Sequence, residues 1–208
     1  DYAKLHFVVI LWGFTAILGG LIELESPVLV FYRVGLAGIL LAILIRIIKA
    51  PGANSRKGQI QMLANGLLLG THWTLFFLAV KIANVSVCMI GMATTSLWTA
   101  ILEPMLVKER SFRTYEFGLG GIMIAAIVLI VGSEFNYLSG LLIAIFSAGI
   151  GTLFSILNSR FTRKYNHYTI ALYQMIGATL IAGAGILLTA LWNNSMPNLI
   201  PSYQDIGW

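Results

Sequence analysis

The sequence predicts an all-α fold, a polytopic bundle of transmembrane helices. Three observations predict it. Seven apolar stretches follow one another along the 208 residues, each close to the roughly 20 residues that cross a hydrocarbon core. The connectors are short, polar, or marked by Pro and Gly, as in Ala50-Pro51-Gly52-Ala53-Asn54-Ser55. The chain is 58% hydrophobic and 10% charged, with a mean hydropathy of +0.87. A soluble domain carries about 25% charged residues to hydrate its surface.

The spans run in order. Leu5–Ile22 is long enough to remain in the bilayer rather than be cleaved as a signal peptide. Val28–Ile48 starts behind Ser26-Pro27, which reads as an N-cap followed by proline at the first helical position. Ile60–Ala79 carries Gly66 and Gly70 at four-residue spacing. Val85–Val107 holds Cys88, the sole cysteine, which excludes an intrachain disulfide. Arg113–Gly132, Leu138–Leu157 and Tyr168–Trp192 complete the set. Further small-residue pairs are Gly38 with Ala42, Gly121 with Ala125 and Ser147 with Gly151. Such pairs let helix backbones approach where lipid supplies no hydrophobic drive.

Charge sets the orientation. Lys4, Arg46, Lys49, Arg56, Lys57, Lys108, Arg110, Arg113, Arg160, Arg163 and Lys164 fall on one side of this topology, 11 of the 13 basic residues. Lys81 falls on the other side and Arg33 inside a span. Short cytoplasmic loops are enriched in Lys and Arg, so the N-terminus is expected in the cytoplasm and the chain in the cell (inner) membrane as a multi-pass protein. The net charge of +5 sits in loop clusters and forms no stripe along a helix, so nucleic acid is not an expected partner.

A weak internal repeat is present. Val30-Phe31-Tyr32-Arg33-Val34-Gly35 aligns with Ala171-Leu172-Tyr173-Gln174-Met175-Ile176 at an offset of 141 residues. A repeat of five spans is odd, so its second copy is inverted. Inverted repeats mark secondary transporters that bind substrate near the midplane between their halves.

Two stretches carry a family resemblance. Gly70-Thr71-His72-Trp73-Thr74-Leu75-Phe76-Phe77-Leu78-Ala79-Val80-Lys81-Ile82-Ala83-Asn84-Val85-Ser86-Val87, and Leu102-Glu103-Pro104-Met105-Leu106-Val107-Lys108-Glu109-Arg110-Ser111, resemble the EamA-type domain of the drug/metabolite transporter superfamily. Trp12-Gly13 and Phe31-Tyr32-Arg33 match the same pattern. The resemblance implies ten spans in two inverted five-span repeats with both ends cytoplasmic. Residues 1–134 would form the first repeat and 135–208 an incomplete second. The ending Asp205-Ile206-Gly207-Trp208 resembles the interfacial lead-in to another span. Ser96 and Lys108 stand where the family often has Pro and Gly, which suggests a subgroup.

Candidate site residues are the polar groups that lipid would reject. Arg33, about five residues into its span, either faces substrate or snorkels to the outer headgroups. His72 lies within about one turn of the same depth; it reads as a substrate ligand or an interhelical hydrogen bond. Trp73 reads as a cavity wall or as packing. Inversion makes Gln174 the counterpart of Arg33. Arg33, His72 and Trp73 are expected to share one hydrated cavity, with Trp98 nearby and Trp12, Thr95 and Tyr173 completing the lining. The hydroxyls of Thr94, Thr95 and Ser96 also have a local use, bonding their own helix backbone. Glu103 is a candidate coupling acid; its alternative is an ion pair with Lys108, Arg110 or Arg160. Asn65, at similar depth, could bond Glu103. About 20 Å of depth separates Glu103 from Arg33, too far to pair.

Other function classes fit less well. No His-Glu-x-x-His metal motif and no Gly-x-Ser-x-Gly motif occurs, so an enzyme, a metal and a cofactor are not expected. A Schiff-base lysine is absent from Tyr168–Trp192. The reading is a transporter of a small metabolite or drug-like solute working by alternating access, with export as the expected direction. A seven-span receptor or channel is the alternative. The expected partners are the solute and the lipid bilayer, with a homodimer left open.

Overall fold

The structure, a computed structural model, describes residues 2–53, 55–131 and 137–207. Among these there is no strand. The helices are α1 (Tyr2–Leu21), α2 (Ser26–Ile48), α3 (Arg56–Ile82), α4 (Val85–Met92), α5 (Thr95–Leu106), α6 (Thr114–Val131), α7 (Leu138–Phe161), α8 (His167–Asn193) and the short α9 (Tyr203–Gly207). Among the described residues, six segments are long and apolar enough to cross a membrane: α1, α2, α3, the pair α4–α5 taken as Val85–Leu106, α7 and α8. The fifth expected span, Arg113–Gly132, corresponds to α6, which runs to the edge of the described residues and is not among the six. The expected repeat boundary at 134–135, the loop residues Ser133 and Glu134 and the closing Trp208 lie outside the described residues.

Local chemistry sets several helix ends. Ser55 caps α3 by accepting from Gly58 N at 3.3 Å. Asn84 caps α4 through Val87 N at 2.9 Å, and Asn166 caps α8 through Tyr168 N at 2.9 Å. Such caps satisfy backbone donors that have no partner within the helix. The helix α2 differs from the expectation. Its N-cap is Glu25, so Ser26 is already helical and Pro27 sits one position further in. The first intrahelical bond runs from Leu29 N to Glu25 O, and the Ser26 hydroxyl is buried with no hydrogen-bond partner among the described residues. At its other end α2 stops with Lys49 in the left-handed region (φ 50°), followed by Pro51.

The fourth span is not the continuous helix expected. It breaks at Ala93-Thr94. The hydroxyls of Thr94, Thr95 and Ser96 bond the carbonyls three residues back, Gly91, Met92 and Ala93, at 2.6, 2.7 and 3.2 Å. Three consecutive back-bonding hydroxyls compete with the helical ladder and account for the interruption.

The centre of the bundle is α3, with α2, α7 and α8 around it; α4 and α5 lie against α7, α1 borders α3, and α6 rests on α5. Glycine sets the α3–α8 spacing. A Cβ at Gly66 would lie 2.7 Å from Gln174 Cα, and one at Gly70 would lie 2.7 Å from Ala178 Cα. Both obstacles are backbone, so the two helices touch main chain to main chain, as the small-residue pair predicts. Gly121 behaves differently: a Cβ there would meet nothing within 4 Å, whereas Gly120 faces Leu97 of α5. The contact face of α6 is therefore one residue away from the expected Gly121–Ala125 pair.

The two ends of the bundle differ in charge. At one end Arg160 bonds Leu106 O, Thr169 Oγ1 bonds Pro51 O at 2.7 Å, and the basic loops after α2, α5 and α7 gather. At the other end Lys81 Nζ donates to Ile22 O at 2.7 Å, and the segment after α8 folds back over the α1–α2 loop. There Asp205 accepts from Glu23 N at 2.7 Å and from Ser202 N at 2.9 Å, and Tyr32 donates to Leu199 O at 2.8 Å.

These backbone donors hold the Asp205 carboxyl below its ordinary value of 3.8, the bond from Glu23 N being the largest cause. A depressed value stabilises the fold-back above pH 3.8, and that contribution disappears as pH falls through the lowered value. Hydrogen exchange at Glu23 and Ser202, corrected for intrinsic rates, is expected to accelerate in acid. In Asp205→Ala, which removes both acceptor oxygens, it should be fast throughout, without the acid transition; an unchanged profile in that variant would remove Asp205 from this role.

Candidate functional site

The expected site residues fall into separate groups. Arg33 lies about seven residues into α2, roughly 10 Å below its start. Its guanidinium carbon sits 5.1 Å from the ring centroid of Phe77 and 5.8 Å from that of Trp73. Trp73 and Phe77 are four residues apart on α3 and so share a face. Arg33 and Trp73 are thus neighbours, and Phe77, which the sequence does not single out, joins them at four-residue spacing from Trp73.

His72 is directed to α7. Its Nδ1 lies 2.9 Å from both the hydroxyl and the carbonyl oxygen of Ser147, while the Ser147 hydroxyl donates to His72 O at 2.8 Å. That hydroxyl has one proton and spends it on His72 O, so the consistent tautomer carries the proton on Nδ1 and donates to Ser147. A Cβ at Gly151 would lie 2.9 Å from the imidazole, so glycine there makes room for the ring. Consecutive residues point about 100° apart around a helix. Trp73 accordingly reaches α2 while His72 reaches α7.

Trp98 approaches α7 from α5. Its indole donates to Ile145 O at 3.0 Å, and its ring closes on Gly149. Thr95 is exposed and bonds Met92 O within its own span. Trp12 is 68% exposed on α1. Tyr173 packs beside Ala53, Met62 and Ile170 near the α2–α3 loop.

A polar cluster lies between α3, α7 and α8. Gln174 is buried and its Nε2 donates to Asn158 Oδ1 at 2.7 Å. Asn65 is buried and its Nδ2 donates to Phe154 O at 3.4 Å, leaving Oδ1 with no partner among the described residues. An unsatisfied buried acceptor costs about 1–3 kcal/mol. Asn158 went unnoticed because it lies one residue past the expected end of its span. Asn65 does not reach Glu103, since α5 packs on α6 and α7 while Asn65 looks into the α7–α8 junction. Glu103 instead pairs with Arg110 at 3.3 Å, with side chains 33% and 55% exposed. A pair this wet contributes at most a few tenths of a kcal/mol.

Two open cavities lie elsewhere. One of about 430 Å³ is lined by Pro51, Gly52, Ser55, Lys164, Tyr165 and Asn166. Another of about 350 Å³ is lined by apolar groups of α2 and α8 with Leu199. Neither includes Arg33, His72, Trp73 or Gln174. Among the described residues no cluster of His, Cys, Asp or Glu is arranged to hold a metal.

A family model described as the EamA-like transporter family matches residues 5–132. No curated protein and no solved structure matches the chain.

Proposed function

The chain belongs to the EamA-like transporter family, a multi-pass membrane family of small-solute transporters, and from that premise we propose that it moves a small metabolite or drug-like solute across the inner membrane by alternating access, as an exporter and without altering the solute. The family match carries this reading. It ends close to the expected boundary of the first repeat at residue 134, which supports two inverted five-span repeats, with 1–134 as the first and 135–208 belonging to the second. In this reading α6 is a fifth span and α7 and α8 open the second repeat.

Two features of the fold suit alternating access. The fourth span is interrupted at Ala93-Thr94, and broken helices supply hinge points and exposed backbone at transporter sites. The α3–α8 contact is glycine against backbone, which leaves few interdigitated side chains to hinder sliding. The solute path runs past Arg33 and Trp73 of α2–α3 and past His72 of α3, with Trp98, Thr95, Trp12, Tyr173 and Gln174 lining it as the helices part. Asn65 and Glu103 serve coupling.

Two measurements test the reading. In proteoliposomes, gradient-driven accumulation of a solute above equilibrium is expected; purely dissipative passage would mean a channel, and no passage would leave a receptor. The orientation has its own test. Gly52 is exposed and a side chain there meets nothing within 4 Å, and Tyr203 is 97% exposed at the opposite end. Cys88 is buried and provides an unreactive background. Gly52→Cys should label only from the cytoplasm and Tyr203→Cys only from outside. Labelling of both from one face would refute the topology.

A further inference from the structure

Arg33 is a cation with aromatic neighbours and no acid. Its guanidinium carries five N–H donors in a planar fork. Two rings, Trp73 and Phe77, flank it at 5.8 and 5.1 Å. Among the described residues no hydrogen bond and no carboxylate reaches it; the ion pairs Arg110–Glu103 and Arg113–Glu116 belong to α5, α6 and the loop between them, and Asp205 accepts from Glu23 N and Ser202 N.

The energetics leave this arrangement unfinished. A charged side chain inside the bilayer is costly even on lenient scales. Cation–π contact recovers only part of that cost and saturates none of the N–H groups, because the rings offer faces and not lone pairs. The side chain is exposed on the bundle surface, so its donors are accessible from outside the protein. The rings lie within cation–π distance of the guanidinium, and among the described residues no protein acceptor occupies its N–H edge. That edge matches two oxygens of one carboxylate or phosphate, the bidentate partner for which arginine is suited and lysine is not.

We infer that Arg33, backed by Trp73 and Phe77, is an oxyanion-binding site that takes a carboxylate or phosphate group. The oxyanion comes from a transported organic anion or from a lipid headgroup. Its assignment to a transported solute rests on the transport reading above; binding at Arg33 does not. A cationic solute is disfavoured here, since nothing nearby offsets the arginine charge.

Equilibrium binding separates these outcomes without any gradient. The full chain is purified in an uncharged maltoside detergent, free of carboxylate and phosphate. Benzoate, inorganic phosphate and a short-chain phosphatidylglycerol below its micellar concentration are titrated at constant ionic strength, with tetraphenylphosphonium as a cationic control. Tryptophan fluorescence and melting temperature are read. Saturable binding of at least one oxyanion is expected, with none of the cation. Arg33→Gln should weaken it at least tenfold. Arg33→Lys, which keeps the charge and the fold but loses the fork, should fall between.

Saturation by benzoate or phosphate supports a solute oxyanion. Saturation by phosphatidylglycerol alone supports a headgroup as the source. Absence of saturable binding by the wild-type chain overturns the site. So does equal binding by wild type and Arg33→Lys together with Arg33→Gln. Anion binding without flux in proteoliposomes would keep the site and sink the transport reading; flux without anion binding would do the reverse.

Discussion

Gly66→Val is expected to eliminate the folded bundle. The new Cβ would lie 2.7 Å from Gln174 Cα and 2.9 Å from Gln174 C, and neither can rotate away as a side chain would. To relieve the contact, α3 and α8 must separate, and the buried residues they share, such as Ala178 and Ala182, lose their packing. Overpacking against side chains costs about 1–3 kcal/mol; against a backbone on both sides of the densest contact in the protein, the cost exceeds that range. Surface expression and a monodisperse profile in detergent are the measurements. Gly121→Val is the matched control, since a side chain there meets open space, and should behave like wild type. Normal folding of Gly66→Val would mean that α3 and α8 do not meet as described.

Arg33→Ala is expected to abolish solute flux in the full-length protein while abundance and melting temperature stay near wild type. Arg33 makes no hydrogen bond or ion pair among the described residues, so its removal leaves no partner stranded. His72→Ala should behave in the opposite way. It strips Ser147 of its imidazole partner and leaves a gap against Gly151, so stability falls by about 1–3 kcal/mol, and flux falls with it. The contrast is diagnostic. If both variants lose only flux, His72 is a solute ligand as well as a tie between α3 and α7. If Arg33→Ala transports normally, the solute path must be sought around Glu103 and Asn65.

Comparing Glu103 with His72 shows how far the linear pattern reaches. For each, the sequence offered a functional role beside an ordinary one. In the structure Glu103 makes the ordinary contact, a wet pair with Arg110; His72 makes its ordinary contact too, the bond to α7. A transporter's resting packing and its working site can use the same side chain. The hydroxyl run Thr94-Thr95-Ser96 bonds its own backbone, the local use its sequence suggests. The consequence, a broken helix, is not legible residue by residue, because each back-bond is tolerable until three fall in succession.

By itself the sequence determined the solvent, the helical class and the approximate places of the spans. These follow from local quantities: apolar length against bilayer thickness, and the need to satisfy every backbone donor inside lipid. It also determined which end carries the basic loops, and it identified the family. Only the tertiary structure decided which neighbours meet. Helix rotation is the reason. In an environment as apolar as the residues themselves, burial does not select a face, so the pattern of apolar residues around α3 cannot say that Trp73 turns to Arg33 and His72 to Ser147. Close packing decides it: Gly66 and Gly70 bring α8 against one face of α3, Gly151 admits the imidazole from α7, and what remains for Trp73 and Phe77 is the side where Arg33 waits without an acid.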